Sequence, residues 1–139
     1  MTNSYVRTLL AISDDTVFAG TNDGVFMSTN SGSSWILSLP TTNSVRGIAK
    51  DNNTNIIYAS TYGSGLYKST NQGITWQSII VRDATVNQTL SRQRTVAVFG
   101  SDSLYVGGSI SDISSGGALF KSTNGGASWI QVQRGTGIR

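Results

Sequence analysis

An all-β fold built from three copies of one four-stranded unit is what this sequence predicts. Three observations carry that prediction. An octet of the form Ser-Thr-Asn-x-Gly-x-x-Trp occurs three times, as STNSGSSW at 28–35, STNQGITW at 69–76 and STNGGASW at 122–129. Short runs rich in β-branched and aromatic residues, broken by Gly, Asn, Asp and Ser, fill the intervals between the octets. No stretch shows the 3.6-residue apolar spacing of an amphipathic helix.

Aligned on the octets, the elements fall into register. A first strand reads at 6–12, 45–49 and 95–99, and a second at 16–20, 56–60 and 103–107. The third lies at 25–27, 66–68 and 119–121. The octet then makes a turn, and a fourth strand starts at its tryptophan, over 35–39, 76–80 and 129–132. Trp35, Trp76 and Trp129 are 41 and then 53 residues apart. Four short strands in a period of about 40–50 residues is the pattern of a β-propeller blade. The expected blades are four-stranded and antiparallel and cover about 1–40, 41–81 and 94–134. A long connection over 81–93 joins the last two.

Composition narrows the chemistry. A chain of 139 residues suffices for one domain with a real core. Cysteine, histidine and glutamate are absent, and all seven acids are aspartate. That removes thiolate chemistry, the commonest general base and the commonest metal ligand. Ten basic residues, seven of them arginine, give a net charge of +3 with no basic run, so nucleic acid is not an expected partner. No apolar run approaches the roughly 20 residues of a membrane span. The N-terminal MTNSYVRTLLAISDD lacks the basic and apolar regions of a signal peptide, and the compartment stays unread.

The octets resemble Asp-box repeats, also called bacterial neuraminidase repeats, whose pattern is Ser-x-Asp-x-Gly-x-x-Trp. The matching positions are Ser28, Asn30, Gly32 and Trp35; Ser69, Asn71, Gly73 and Trp76; and Ser122, Asn124, Gly126 and Trp129. The resemblance implies a turn between the third and fourth strands of a blade, on the face away from the ligand site. Asparagine stands in every copy where that family usually has aspartate. Either side chain can bond backbone amides, whereas calcium prefers charged oxygens, so the octet reads as a structural staple with no metal. The glycines are expected at positive φ and the tryptophans in the packing.

Propellers typically close with about 4–8 blades. An arc of three leaves two blade faces uncovered, and two copies would make a six-bladed ring, so a homodimer is expected. The rival is a section of a longer propeller.

The loops on the face opposite the octets are the longer ones: 81–93 between blades, and 109–117 within the third. Arg7, Arg46 and Arg94 hold equivalent places at the start of each innermost strand, with Arg82 and Arg92 nearby in the long connection. Together with Tyr62, Asp23 and Asp112 they form the candidate ligand-binding set at the channel mouth. Arginine's planar donor fork suits carboxylates, phosphates and sugar acids, and equally the backbone carbonyls of adjacent blades.

The resemblance implies several classes of protein: sialidases, xyloglucan-degrading glycosidases, sortilin-type receptors and photosystem assembly factors. A sialidase needs a glutamate partnering its tyrosine nucleophile and an Arg-Ile-Pro motif, and neither is present. A two-carboxylate glycosidase would have to draw on Asp23, Asp83 or Asp112, none in a recognisable motif. The preferred reading is a binding module without catalytic residues or cofactor, recognising a glycan or other anionic ligand. The alternatives are a scaffold gripping a protein partner, or a piece of a larger, glycosidase-like propeller.

Overall fold

The structure, a computed structural model, describes residues 5–110 and 116–136, with the backbone alone for 134–136. These residues form thirteen strands in three antiparallel sheets, and no helix among them is long and apolar enough to cross a membrane. The first sheet has β1 (Val6–Ala11), β2 (Val17–Thr21), β3 (Gly24–Ser28) and β4 (Ile36–Pro40) in sequential order. The second repeats it with β5 (Val45–Lys50), β6 (Ile57–Thr61), β7 (Gly65–Ser69) and β8 (Gln77–Ile79). The third runs β13 (Ile130–Thr136), β12 (Gly116–Ser122), β11 (Ser103–Ile110), β10 (Gln88–Phe99) and β9 (Arg82–Asp83). The innermost strands β1, β5 and β10 lie side by side.

The sheets stack face to face, which explains the composition of their strands. β6 is buried at every residue, because the second sheet is covered on both sides. One core gathers Phe18, Val25 and Leu39 of the first sheet with Val45, Ile48, Ile57 and Ala59 of the second. Another joins Tyr58 and Leu66 of the second sheet to Leu104, Val106, Phe120 and Trp129 of the third. Each such large side chain contributes about 1.5–3 kcal/mol on burial.

The octets form the β3–β4, β7–β8 and β12–β13 turns and share one hydrogen-bond scheme. In the second copy Ser69 Oγ accepts from the Gly73 amide at 2.8 Å and donates to Asn71 Oδ1 at 3.1 Å. Asn71 Oδ1 also accepts from the Thr75 amide at 2.9 Å. Asparagine then does what an aspartate could not: its Nδ2 donates to Thr75 Oγ1 at 2.8 Å, as Asn30 does to Ser34 and Asn124 to Ser128. A hydroxyl at the seventh octet position is therefore the partner of the Asn. Gly73 has φ 83°, and its equivalents Gly32 and Gly126 have 84° and 90°.

One segment departs from the sequence expectation. Residues 81–93, read as an irregular connection, contain β9 and the first half of a twelve-residue β10, which makes the third sheet five-stranded. The cause is apolar: Val81 and Leu90 are buried in the second core, and the Leu90 amide donates to the Val81 carbonyl at 2.9 Å. Asp83 anchors this extension. Its Oδ1 accepts from the Thr85 hydroxyl at 2.6 Å and the Thr85 amide at 2.8 Å, while its Oδ2 accepts from the Gln131 amide of β13 at 2.7 Å. The Thr85 hydroxyl foremost, then the Gln131 amide, hold the Asp83 carboxyl down to about 2. Asp51 makes a similar joint, accepting from the Asn53 amide at 2.8 Å and from the Asp102 amide of the third sheet at 3.3 Å. Burial pushes Asp51 upward, but these donors outweigh it and its pKa is lowered.

Two outcomes follow from these contacts. Asn71→Ala removes bonds on both sides of the turn and is expected to cost about 1–2 kcal/mol in urea unfolding, whereas Asn71→Asp keeps the amide contacts and loses less. Both aspartates titrate lower in the folded chain than in the unfolded one, whose reference value is 3.8. The unfolded chain therefore takes up protons first on acidification. The stabilisation from both is full above about pH 5 and falls as pH drops through 3.8, that from Asp83 being lost as pH nears about 2. A denaturation series over that window is expected to show a shallower fall for Asp83→Asn than for the parent chain.

Candidate functional site at the channel mouth

The innermost strand of each sheet carries a register shift at its arginine. Val6 opposes Thr21 and Thr8 opposes Gly20, leaving Arg7 unpaired. Val45 opposes Thr61 and Gly47 opposes Ser60, leaving Arg46. Gln93 opposes Gly108 and Thr95 opposes Gly107, leaving Arg94. A residue in such a β-bulge bends the strand and re-aims its side chain. β10 has a second shift between Leu90 and Arg92. All these bulges lie at the end of the sheets opposite the octet turns.

Two of these bulged arginines, Arg46 and Arg94, meet at one aromatic ring with Arg92, which is itself paired with Ser109 beside the second shift. The guanidinium carbon of Arg46 lies 4.8 Å from the Tyr62 ring centroid, that of Arg94 5.1 Å and that of Arg92 5.7 Å. Tyr62 sits in the β6–β7 turn, fixed by its amide donating to the Ser44 carbonyl at 2.8 Å. Beside it Gly63 has φ 128°, and a Cβ there would lie 2.8 Å from Asn43 Oδ1, so only glycine fits the turn against Asn43. Asn43 Nδ2 in turn donates to Ser64 Oγ at 2.5 Å. The ring belongs to the second sheet, and two of its arginines come from the third.

Electrostatically the cluster is one-sided. Each cation–π contact at an exposed site contributes about 0.5–1 kcal/mol and is set against the mutual repulsion of three like charges. Among the described residues, none of the three guanidinium groups makes a hydrogen bond or an ion pair, and Arg46 Nε is buried without a partner. A buried donor left unsatisfied costs about 1–3 kcal/mol. The chemistry on offer is a planar set of N–H donors around an aromatic platform, suited to a carboxylate, sulfate or phosphate oxygen.

The other expected residues lie apart. Arg7 Nε donates to Asn22 Oδ1 at 2.7 Å in the β2–β3 turn, and Ser44 Oγ donates to the same oxygen at 2.8 Å. Asp23 follows in that exposed turn, its amide on Thr21 Oγ1. Arg82 is on β9 and donates to Asn87 Oδ1, closing the β9–β10 turn rather than joining Tyr62. Asp112 lies outside the described residues. Asp83 is committed to Thr85 and Gln131 and offers no open carboxylate. Among the described residues no three Asp, Glu, His or Cys side chains gather as a metal would require. Sequence reasoning missed Asn22, Asn43 and Ser44. Their only signal was position, since each lies within or just before a turn on the arginine side.

Antiparallel sheets of four or five strands, stacked face to face with their innermost strands side by side, define the β-propeller type of fold. No family model and no curated protein matches the sequence. Solved structures do match. An ancestral GH74 enzyme is similar over 89% of this chain and 18% of its own, with 26% identity and a TM-score of 0.68. YCF48 bound to D1 peptide is similar over 94% of this chain and 41% of its own, at 15% identity and a TM-score of 0.67. The GH74 xyloglucanase from Xanthomonas campestris is similar over 91% and 23%, at 16% identity and a TM-score of 0.63. The chain thus spans well under half the length of these propellers.

Proposed function

We propose that this chain is a three-blade section of a propeller whose channel-mouth face binds an anionic ligand without catalysing a reaction. The blades are the units over about 1–40, 41–81 and 94–134. The ring is completed by a second copy or by further blades of a longer chain. The small share of each neighbour that the chain spans supports the idea of a section of a larger ring. The observation that carries the binding reading is the Arg46, Arg92 and Arg94 cluster on Tyr62, with the buried Arg46 Nε unpartnered. An acidic glycan is the leading ligand class, its carboxylate or sulfate supplying the acceptors the cluster lacks. Tyr62 serves as the platform that holds the arginines apart.

A second reading is a scaffold that grips an acidic peptide. The likeness in fold to a propeller solved with a bound peptide favours it. Titration calorimetry with an acidic glycan, its neutral counterpart and an acidic peptide tests both. The acidic glycan is expected to bind, to weaken as salt is raised, and to lose about tenfold or more in affinity with Arg46→Ala, near 1.4 kcal/mol. Tyr62→Ala is expected to act in the same direction. Equal binding by parent and Arg46→Ala overturns the site. Response to the peptide alone favours the scaffold.

A further inference from the structure

The two outer sheets each present a face whose counterpart inside the chain is covered. Leu9, Ile48 and Val96 hold equivalent places in β1, β5 and β10, yet Leu9 is 62% exposed against 9% and 7%. The octet glycines show why. A Cβ on Gly73 would lie 2.5 Å from Phe18 Cε1 and 3.0 Å from Ser38 Oγ of the first sheet. One on Gly126 would lie 3.1 Å from Ile79 Cδ1 of the second sheet. One on Gly32 meets only its own Trp35, at 3.7 Å. The second and third octets are each seated on the preceding sheet; among the described residues the first is seated on nothing.

The far face of the third sheet repeats the face that seats an octet. In the second sheet that seat is Tyr58, Lys68 and Ile79. Lys68 Nζ lies 5.9 Å from the Tyr58 ring centroid and donates to the Gly125 carbonyl at 3.5 Å. By spacing from the tryptophan the third-sheet counterparts are Tyr105, Lys121 and Val132, the last left unpaired by the β12–β13 register shift, with Lys121 Nζ 5.6 Å from the Tyr105 ring. Tyr58 is fully buried, whereas Tyr105 and Lys121 are half-buried and Val132 is 44% exposed.

The tryptophans specify which seat the first octet suits. Over the first sheet's seat, Ser38 Oγ accepts from Trp76 Nε1 at 3.0 Å and donates to the Gly73 carbonyl at 2.5 Å, standing between them. Over the second sheet's seat the equivalent residue is Ile79, and Trp129 Nε1 closes directly on the Gly126 carbonyl at 3.1 Å. Trp35 Nε1 likewise closes on Gly32 at 3.1 Å. The first octet, closed on itself, asks no hydroxyl of its seat, and the aliphatic Val132 offers none.

We infer that the open face of the first sheet is the seat for the third-sheet face of a second copy of this chain. Val132 packs on Gly32 and Trp35 as Ile79 packs on Gly126 and Trp129, in a head-to-tail joint that two copies close into a ring. The inference rests on the propeller reading above but not on its ligand. Sedimentation of the full chain is expected to give twice 14.7 kDa. Leu9→Arg blocks one face and Val132→Arg the other; both residues are exposed, and circular dichroism is expected to stay that of the parent. Each variant alone sediments as a single chain. Mixed one to one, they associate again, more weakly than the parent, because each retains the face the other lacks. A parent that stays at one chain overturns the inference. So do variants that fail to associate on mixing, the result a like-to-like interface would give. A single chain that still binds acidic glycan sinks this inference alone, and a dimer that binds no anion sinks only the functional reading.

Discussion

The close approach of an octet glycine to the sheet before it fixes how one sheet sits on the next. At Gly73 the Phe18 ring occupies the space a side chain would take, and Ser38 reaches over the same turn to the Trp76 indole. That contact needs a backbone turn with no Cβ at its apex and a left-handed conformation. The Ser–Asn–Gly hydrogen bonds supply the conformation from within the octet. Everything outward from the turn, including the placing of the two cores between the sheets, follows from that seat.

The polar turn is the same in all three copies, while the seat beneath it changes from Phe18 and Ser38 to Tyr58 and Ile79. This separation has a physical basis. The turn is satisfied by bonds among its own residues, so it tolerates a change of neighbour. The joint is made of apolar area and one or two directed bonds, so it carries the identity of each interface. The second joint has in addition the Asp51 carboxylate, which accepts the Asp102 amide of the third sheet, while Asp83 on β9 ties in Gln131 of β13 within that sheet. The heavier stapling falls on the sheet with the longest inner strand.

Much of this was legible in the sequence. The octets located four strands per unit, and the alignment put Arg7, Arg46 and Arg94 at matching places. The β-bulges were not legible, because an unpaired residue is defined only against a partner strand whose register the sequence does not carry. The convergence on Tyr62 was hidden for a related reason: Arg92 and Arg94 cross from one sheet to a ring on another. Segment 81–93 read as a loop because its polar residues outnumber Val81, Ala84, Val86 and Leu90, and nothing in the sequence marks Val81 and Leu90 as the pair that pins it. Asp83 read as one of three carboxylates open to chemistry because an aspartate in a long connection looks the same whether it faces solvent or caps a neighbouring strand.

The arginine cluster is built differently from the repeated turns. The octets meet most of their needs among their own residues, and Arg7 meets Asn22. Arg46, Arg92 and Arg94 instead gather positive charge on one ring, on strands bent by bulges, with no acceptor among the described residues. Packing cannot be the reason, since a single arginine on Tyr62 would give the ring its cation–π contact. The turn at Ser44 and Gly63 fixes the ring on which the three like charges gather. A preorganised cationic site of this kind gives its binding free energy to whatever anion enters, because the donors are already aligned and already stripped of protein partners. That is the physical case for the proposal that an anion binds on this face and away from the octets.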